Sequence, residues 1–230
     1  MKYQWAQYYT ELIHSKYAAK FQAFYNLLCF YNEKYNLTRI IERKDCDIKH
    51  FLDSICAEQY FPSGARVAEI GSGAGFPSIP LKIIRDDLKF TLVESVGKKC
   101  DFLREAAKEL ALNDVEVLNM RAEDGGKNKL YREQYDVCCA RAVARLNTLS
   151  EYCIPYVKKG GTFIAYKGDA KEEISEAENA FFVLGAKIVA CEMYELPEAA
   201  GKRTLIVAEK YKPTDAAYPR GKGKERSKPL

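Results

Sequence analysis

Val67-Ala68-Glu69-Ile70-Gly71-Ser72-Gly73-Ala74-Gly75-Phe76 is the stretch whose reading decides the fold. A strand-like apolar run leads straight into three alternating glycines, and a helical pattern follows near 77–85. Glycines at a strand-to-helix turn let the backbone approach a ligand closely. They sit at the C-terminal edge of a parallel sheet, where open α/β folds bind cofactors. The dinucleotide pattern G-x-G-x-x-G, counted from Gly71, needs a third glycine where Phe76 stands, and so fails. The pattern present, an acidic residue followed by G-x-G-x-G, is the one associated with S-adenosylmethionine. That ligand carries no pyrophosphate to seat on a helix N-terminus.

Downstream, short β-forming runs alternate with helical patterns. Strands are expected at Arg66–Ile70, Lys89–Glu94, Val115–Leu118, Tyr135–Cys139, Thr162–Tyr166, Lys187–Glu195 and Thr204–Lys210. Helices are expected near 77–85, 97–111, 146–157 and 170–184. Strand–helix alternation implies parallel βαβ units with right-handed crossovers, hence a doubly wound, mostly parallel seven-stranded Rossmann-like α/β sheet. The last two strands have no helix between them and are expected to pair antiparallel.

Upstream, residues 3 to 60 read as helical. Tyr17, Phe21, Phe24, Leu28, Tyr31 and Tyr35 recur at spacings of four and three, one face of a helix that is expected to pack on the main domain. Asp47 is placed to cap a second helix through Ile48, Phe51, Leu52, Ile55 and Cys56. The organisation expected is a helical extension over 1–62, a cofactor-binding domain over 63–211 and a basic tail over 212–230.

The glycine loop gains support from Glu94, which ends the next strand 23 residues after Gly71. A carboxylate there can accept hydrogen bonds from both ribose hydroxyls of an adenosine. Dinucleotide binding predicts the same acid, so the glycine spacing decides for S-adenosylmethionine.

Composition narrows the setting. Of the 230 residues, 47% are hydrophobic and 30% charged, ordinary for a soluble domain. The apolar stretch 181–191 is short and interrupted by Lys187, and the N-terminal stretch carries Glu11 and His14 where a signal peptide needs an apolar core. A cytoplasmic, membrane-free protein is expected. Its eight cysteines, at 29, 46, 56, 100, 138, 139, 153 and 191, form no C-x-x-C pair and read as reduced, mostly buried thiols. The two histidines, His14 and His50, are far apart in sequence, so no metal site is expected and little room is left for histidine acid–base chemistry. The net charge of +4 is uneven: seven basic and two acidic side chains fall between Lys210 and Leu230, leaving −1 for the remainder. Such a tail points to a polyanionic partner. Residues 212–230 also read as too polar to join the core, so that cofactor binding should survive their deletion.

The acceptor is constrained by what is absent. Methylation of an exocyclic adenine amine usually goes with an N/D-P-P-Y/F/W turn after the fourth strand; here that strand runs Asp136-Val137-Cys138-Cys139-Ala140-Arg141-Ala142. Carbon methylation of pyrimidines needs a cysteine nucleophile, and Cys138 and Cys139 look like strand packing. No His, Asp and Tyr cluster offers a base for a hydroxyl. Arg141 and Lys167, at the ends of strands four and five, face the cofactor edge instead. An acceptor that already owns a lone pair, such as guanine N7, needs only to be held in line by basic side chains.

At this point the residues resemble the bacterial small-subunit ribosomal RNA guanine-N7 methyltransferase G family, also called glucose-inhibited division protein B. The likeness lies in Tyr31-Asn32, Asn36-Leu37-Thr38, His50-Phe51-Leu52-Asp53-Ser54 and Gly71 through Pro77 with Ile79-Pro80-Leu81. It continues in Glu94-Ser95, Lys98-Lys99, Phe102-Leu103, Arg121-Ala122-Glu123, Ala140-Arg141-Ala142, Lys167-Gly168, Arg203-Thr204-Leu205 and the ending Tyr218-Pro219-Arg220 to Lys228-Pro229-Leu230. Tyr31 stands where that family leads one to expect tryptophan, and the segment after Arg220 lacks a G-x-P turn.

The resemblance implies a class I methyltransferase fold and methyl transfer from S-adenosyl-L-methionine, without a metal, to N7 of a guanine in the decoding-region loop of 16S ribosomal RNA. It implies the assembled small subunit as substrate, and a monomeric enzyme is expected. Carried over by position, Gly71, Gly73, Gly75, Phe76, Glu94, Ser95, Ala122, Glu123 and Arg141 become cofactor contacts. Arg141, Lys167 and Arg121 become candidates for supporting catalysis, and Lys98, Lys99, Arg203, Arg220 and Lys222 for meeting RNA. The alternative is an enzyme of the same fold acting on a small molecule or a protein.

Overall fold

The computed structural model describes the backbone of residues 4–230 and the side chains from residue 7 onward. The first three residues of the expected extension lie outside the described residues. The strands β1 (Arg66–Ile70), β2 (Lys89–Glu94), β3 (Val115–Asn119), β4 (Tyr135–Arg141), β5 (Val157–Lys167), β6 (Ala186–Glu195) and β7 (Lys202–Lys210) form one sheet. Its order is β3-β2-β1-β4-β5-β7-β6. β1 to β5 run parallel, and β7 lies antiparallel between β5 and β6. The antiparallel pairing of the last two strands is present, and β7 is also inserted against β5. Strand order reverses between β1 and β4, so the crevice for a ligand opens beyond their C-terminal ends.

Buried on both faces, the central strands are mainly apolar, as parallel strands tend to be, with Glu69 of β1 and Thr91 of β2 as buried polar exceptions. Val67, Leu92, Val137 and Cys139 feed one core, and Ala68, Val93, Cys138 and Ala140 feed the other. α5 (Ser78–Ile84) and α6 (Gly97–Glu109) supply the first core, and α8 (Leu146–Cys153) and α10 (Glu178–Leu184) the second.

The extension shares the first core rather than forming its own. α1 (Gln4–His14) precedes α2 (Ala18–Tyr35), whose Phe21, Phe24 and Leu28 are fully buried while Tyr31 and Tyr35 pack at the margin. Phe24 lies between Phe51, Phe76 and Phe102, with ring centroids 5.7, 5.4 and 6.4 Å away. Each such ring buried stabilises the docking by about 2–3 kcal/mol. The aromatic stripe is core, as its spacing predicts.

The second helix departs from expectation. α3 (Arg43–Cys46) is capped by Glu42, whose carboxylate accepts from Asp45 N at 2.9 Å, and runs on through a π-helical turn, Asp47–Leu52, into α4 (Asp53–Ile55). Asp47 is therefore interior, not a cap, and its carboxylate pairs with Arg43 one turn earlier at 3.1 Å.

One short helix between β3 and β4 escapes the sequence pattern, and one expected helix is divided. α7 (Ala122–Lys127) contains Gly125 and Gly126, which hide its helical signal; Gly125 is required because the Tyr156 hydroxyl fills the space of a Cβ. The expected helix at 170–184 is split at Ala177 into α9 (Lys171–Glu176) and α10.

The basic tail corrects the sequence reading most clearly, because it is docked. Arg220 donates to Glu151, a carboxylate of zero exposure, from its backbone N at 2.8 Å, Nε at 2.9 Å and its terminal nitrogen at 2.6 Å. Arg132 donates to the carbonyls of Thr214, Asp215 and Tyr218 at 2.6, 3.0 and 2.6 Å. Lys210 and Thr214 N share the Glu133 carboxylate. Glu225, at the head of α11 (Lys224–Ser227), is fully buried and accepts from Gly221 N. The missing G-x-P turn is replaced by positive φ at Gly221, Lys222 and Gly223. Polar composition misleads because these polar groups find buried partners rather than water.

Candidate functional site

Two cavities flank the glycine loop at the C-terminal edge of the sheet. The first, about 80 Å³, lies over the ends of β1, β2 and β3 and is lined by Gly71, Glu94, Ser95, Arg121, Ala122 and Glu123, with Met120, Val143, Tyr152 and Arg226. Gly71, Gly73 and Gly75 all adopt positive φ. A Cβ on Gly71 would sit 2.7 Å from Val143 Cγ2, so this wall is backbone by necessity. Gly73 has open space around it and is constrained by its φ of 56° alone.

Glu94 braces the loop. Its Oε2 accepts from Gly73 N at 2.9 Å and its Oε1 from Val96 N at 2.8 Å, which fixes the carboxylate at the pocket rim while each oxygen retains a further lone pair. The pocket suits an adenosine: Ile70, Val93 and Val143 present apolar walls, and Glu94 and Glu123 bring carboxylates for hydroxyl and amino groups.

Behind the loop stands Glu69, wholly buried, its carboxylate oxygens without a well-formed hydrogen bond among the described residues. Burial pushes its carboxyl up to about 7, because charge is disfavoured away from water.

The second cavity, about 420 Å³, is bounded by Ile40, Lys49, His50, Asp53, Arg141, Ala142, Tyr166, Lys167, Gly168, Glu173 and Arg203. The Arg141 guanidinium donates to Lys49 O at 3.0 Å and Asp53 Oδ2 at 3.1 Å, and meets His50 Nδ1 at 3.1 Å. Arg203 Nε reaches the same Asp53 oxygen at 3.4 Å, and the Tyr194 hydroxyl donates to Asp53 Oδ1 at 3.0 Å. Because a guanidinium only donates, His50 Nδ1 must accept, leaving its Nε2–H to donate to Thr38 Oγ1 at 2.9 Å. Burial, reinforced by the Arg141 charge, drives the His50 pKa down to about 3, so the ring is neutral. It stacks on Phe76 at 4.3 Å, and Arg141 lies over the same ring at 5.0 Å.

The expected cofactor contacts thus divide. Gly71, Glu94, Ser95, Ala122 and Glu123 meet in the first cavity, together with Arg121. Phe76 is buried behind the loop, and Arg141 opens on the second cavity. Lys167 lines that cavity too, but its ammonium is bound to Ala144 O and the Glu173 carboxylate, both at 2.6 Å. Lys98 and Lys99 begin α6 beside the first cavity, the former exposed, and Lys222 is exposed on the tail. Arg220 is paired with the buried Glu151 at 2.6 Å, its side chain still partly exposed. Sequence reasoning missed His50 and Asp53 as site residues, although their stretch carried part of the resemblance, and missed Tyr152 and Arg226, for which no local signal exists. Cys138 and Cys139 are fully buried and burial raises both thiols well above the ordinary range, so neither is a nucleophile. No group of three or more His, Cys, Asp and Glu among the described residues could hold a metal ion. No helix among them is long and apolar enough to cross a membrane.

Comparison with known proteins places these features. A family model described as rRNA small subunit methyltransferase G matches residues 17–203. A Lactobacillus acidophilus protein named ribosomal RNA small subunit methyltransferase G is 47% identical over 92% of this chain and 90% of its own length. A Staphylococcus aureus protein of the same name is 48% identical over 92% of this chain and 89% of its own. Among solved structures, a SAM-dependent O-methyltransferase from Thermotoga maritima superposes with a TM-score of 0.55 at 16% identity, covering 82% of this chain and 72% of that one. The last likeness concerns the fold alone.

Proposed function

The chain belongs to the rRNA small subunit methyltransferase G family, and from that premise we propose that it methylates N7 of a guanine in the decoding-region loop of 16S ribosomal RNA, on the assembled small subunit. The first cavity takes S-adenosyl-L-methionine, which when bound supplies the electrophilic methyl group. The second takes the flipped-out acceptor base.

The observation that carries the choice of atom is the protonation state of the second cavity. Its imidazole is neutral and already engaged on both nitrogens; of its two carboxylates, Asp53 is shared between two arginines and Glu173 is paired with Lys167, and its other lysine, Lys49, is paired with Asp45. A ring nitrogen with a free lone pair requires no proton removal, so this constellation is sufficient for it and poor for a hydroxyl or amine acceptor. The residues therefore act by position and field. Arg141 and Arg203 present positive charge to phosphate or to the guanine Hoogsteen edge, Asp53 fixes both guanidinium groups, and the His50–Phe76 stack excludes water. Lys98, Lys99, Arg121 and Lys222 extend that charge over the outer surface toward RNA. In this reading the enzyme works in the cytoplasm as a monomer and needs no metal.

The test is methyl transfer to purified small subunits lacking this modification, followed by borohydride reduction and aniline cleavage, which cut RNA at N7-methylguanine. Strand scission in the decoding-region loop supports the proposal. Methylation without scission would overturn the assignment to N7, and transfer only to small molecules or proteins would overturn the assignment to RNA.

A further inference from the structure

We propose that Arg226 is a cofactor-contacting residue, delivered by the docked tail to the adenine end of the S-adenosylmethionine pocket. The inference rests on the cofactor reading of the first cavity. Arg226 lines that cavity together with Ala122, Glu123 and Tyr152. Ala122 and Glu123 follow β3, the strand farthest from β1 on that side of the sheet, and so bound the part of the pocket beyond the ribose acid Glu94.

The placement is built, not incidental. α8 presents Thr148, Glu151 and Tyr152 at helical spacing, so that one element both anchors the tail and walls the pocket. Thr148 Oγ1 donates to Glu225 O at 2.8 Å, the residue immediately before Arg226. Glu151 clamps Arg220, and the fully buried Glu225 closes the turn between them by accepting from Gly221 N. These bonds fix the backbone at 225 and leave the Arg226 side chain as the tail's contribution to the cavity. Residue chemistry agrees: a guanidinium plane is suited to lie on a purine face, combining stacking with cation–π attraction. Tyr152, itself buried, supplies an aromatic neighbour in the same lining.

Calorimetric titration of the full chain with S-adenosylhomocysteine tests this. Arg226→Ala should weaken binding roughly tenfold while the melting temperature of the ligand-free protein stays unchanged. Arg226→Lys, which keeps the charge without the plane, should recover part of the loss. The weakening should be equal for 5′-methylthioadenosine, which shares the adenosine and lacks the amino acid. Native affinity in Arg226→Ala, or a loss that vanishes with 5′-methylthioadenosine, would overturn the inference. Failure of the native chain to bind either ligand, or no effect of Glu94→Ala, would instead sink the underlying cofactor reading.

Discussion

Asp53 and Arg141, 88 residues apart in sequence, meet at 3.1 Å and join the helical extension to the end of β4. Asp53 is 3% exposed and also holds Arg203 and Tyr194, so one carboxylate organises the second cavity. Removing one partner of a buried pair leaves the other charge unneutralised. Asp53→Ala should therefore lower stability by about 3 kcal/mol in urea unfolding and misplace both arginines, with methylation of the subunit falling further than cofactor affinity. A loss below about 0.5 kcal/mol, the range of ordinary surface changes, would show that the pair is merely superficial.

Glu69 and His50 give the chain opposite pH responses. Burial lifts Glu69 from 4.5 to about 7, so the stability of the folded state that depends on its neutral form is complete below pH 4.5 and lost as pH rises through 7. Glu69→Gln should abolish that slope, worth about 3 kcal/mol across the window. His50 is depressed from 6.5 to about 3, so its contribution is present above pH 6.5 and lost as pH falls through 3. An NMR titration should find its ring neutral at pH 5; protonation there would contradict the Arg141 contact.

The glycines of the loop should not be equivalent. Gly71→Ala meets Val143 and incurs a left-handed φ of 70°, whereas Gly73→Ala meets only the φ penalty, about 1–2 kcal/mol. Cofactor affinity should therefore fall much more for Gly71→Ala, as measured by calorimetry. Equal losses would mean that the space beside Val143 does not matter.

Both thiols of β4 should be dispensable for chemistry. A Cys138→Ala, Cys139→Ala double variant opens small voids in two separate cores and should lose roughly 1–3 kcal/mol. Its turnover on small subunits, assayed below its melting point, should remain near native. Inactivity in the folded double variant would point to covalent pyrimidine methylation.

The tail should divide into anchor and surface. Arg220→Ala leaves Glu151 buried and unpaired and should cost about 3 kcal/mol. Lys222, Lys224 and Lys228 are exposed, and replacing them should leave melting unchanged. The plot of log K for subunit binding against log salt should flatten by roughly 0.7–0.9 for every phosphate these side chains neutralise in the native complex. An unaltered salt slope would remove the tail from the RNA interface.

Much of this architecture is legible in the sequence. β1 and β2 match their expected bounds because buried parallel strands are short, mainly apolar and β-branched runs, and the loop after β1 announces itself through residues chosen for backbone conformation. The extension's aromatic stripe is legible for the same reason, since packing imposes a period. What escapes depends on partners remote in sequence. Asp47 looks like a cap until Glu42 is found to cap instead. Arg220 gives no sign in the composition of its buried partner Glu151, 69 residues away. His50 looks idle for want of a second histidine, whereas its role is set by Arg141, Thr38 and Phe76.

Phe76 closes the same loop that Gly71 opens, and its ring meets His50 and Arg141 from the side of the second cavity. One six-residue segment thus lines the first cavity at Gly71 and, through Phe76, backs the His50 and Arg141 side chains that line the second. Any displacement of that segment by one occupant is felt by the other, and thermodynamics requires the influence to be mutual: the factor by which cofactor alters RNA affinity equals the factor by which RNA alters cofactor affinity. Four dissociation constants, for each ligand alone and in the presence of the other, close a square whose single coupling energy measures how stiffly Phe76 transmits occupancy across the crevice.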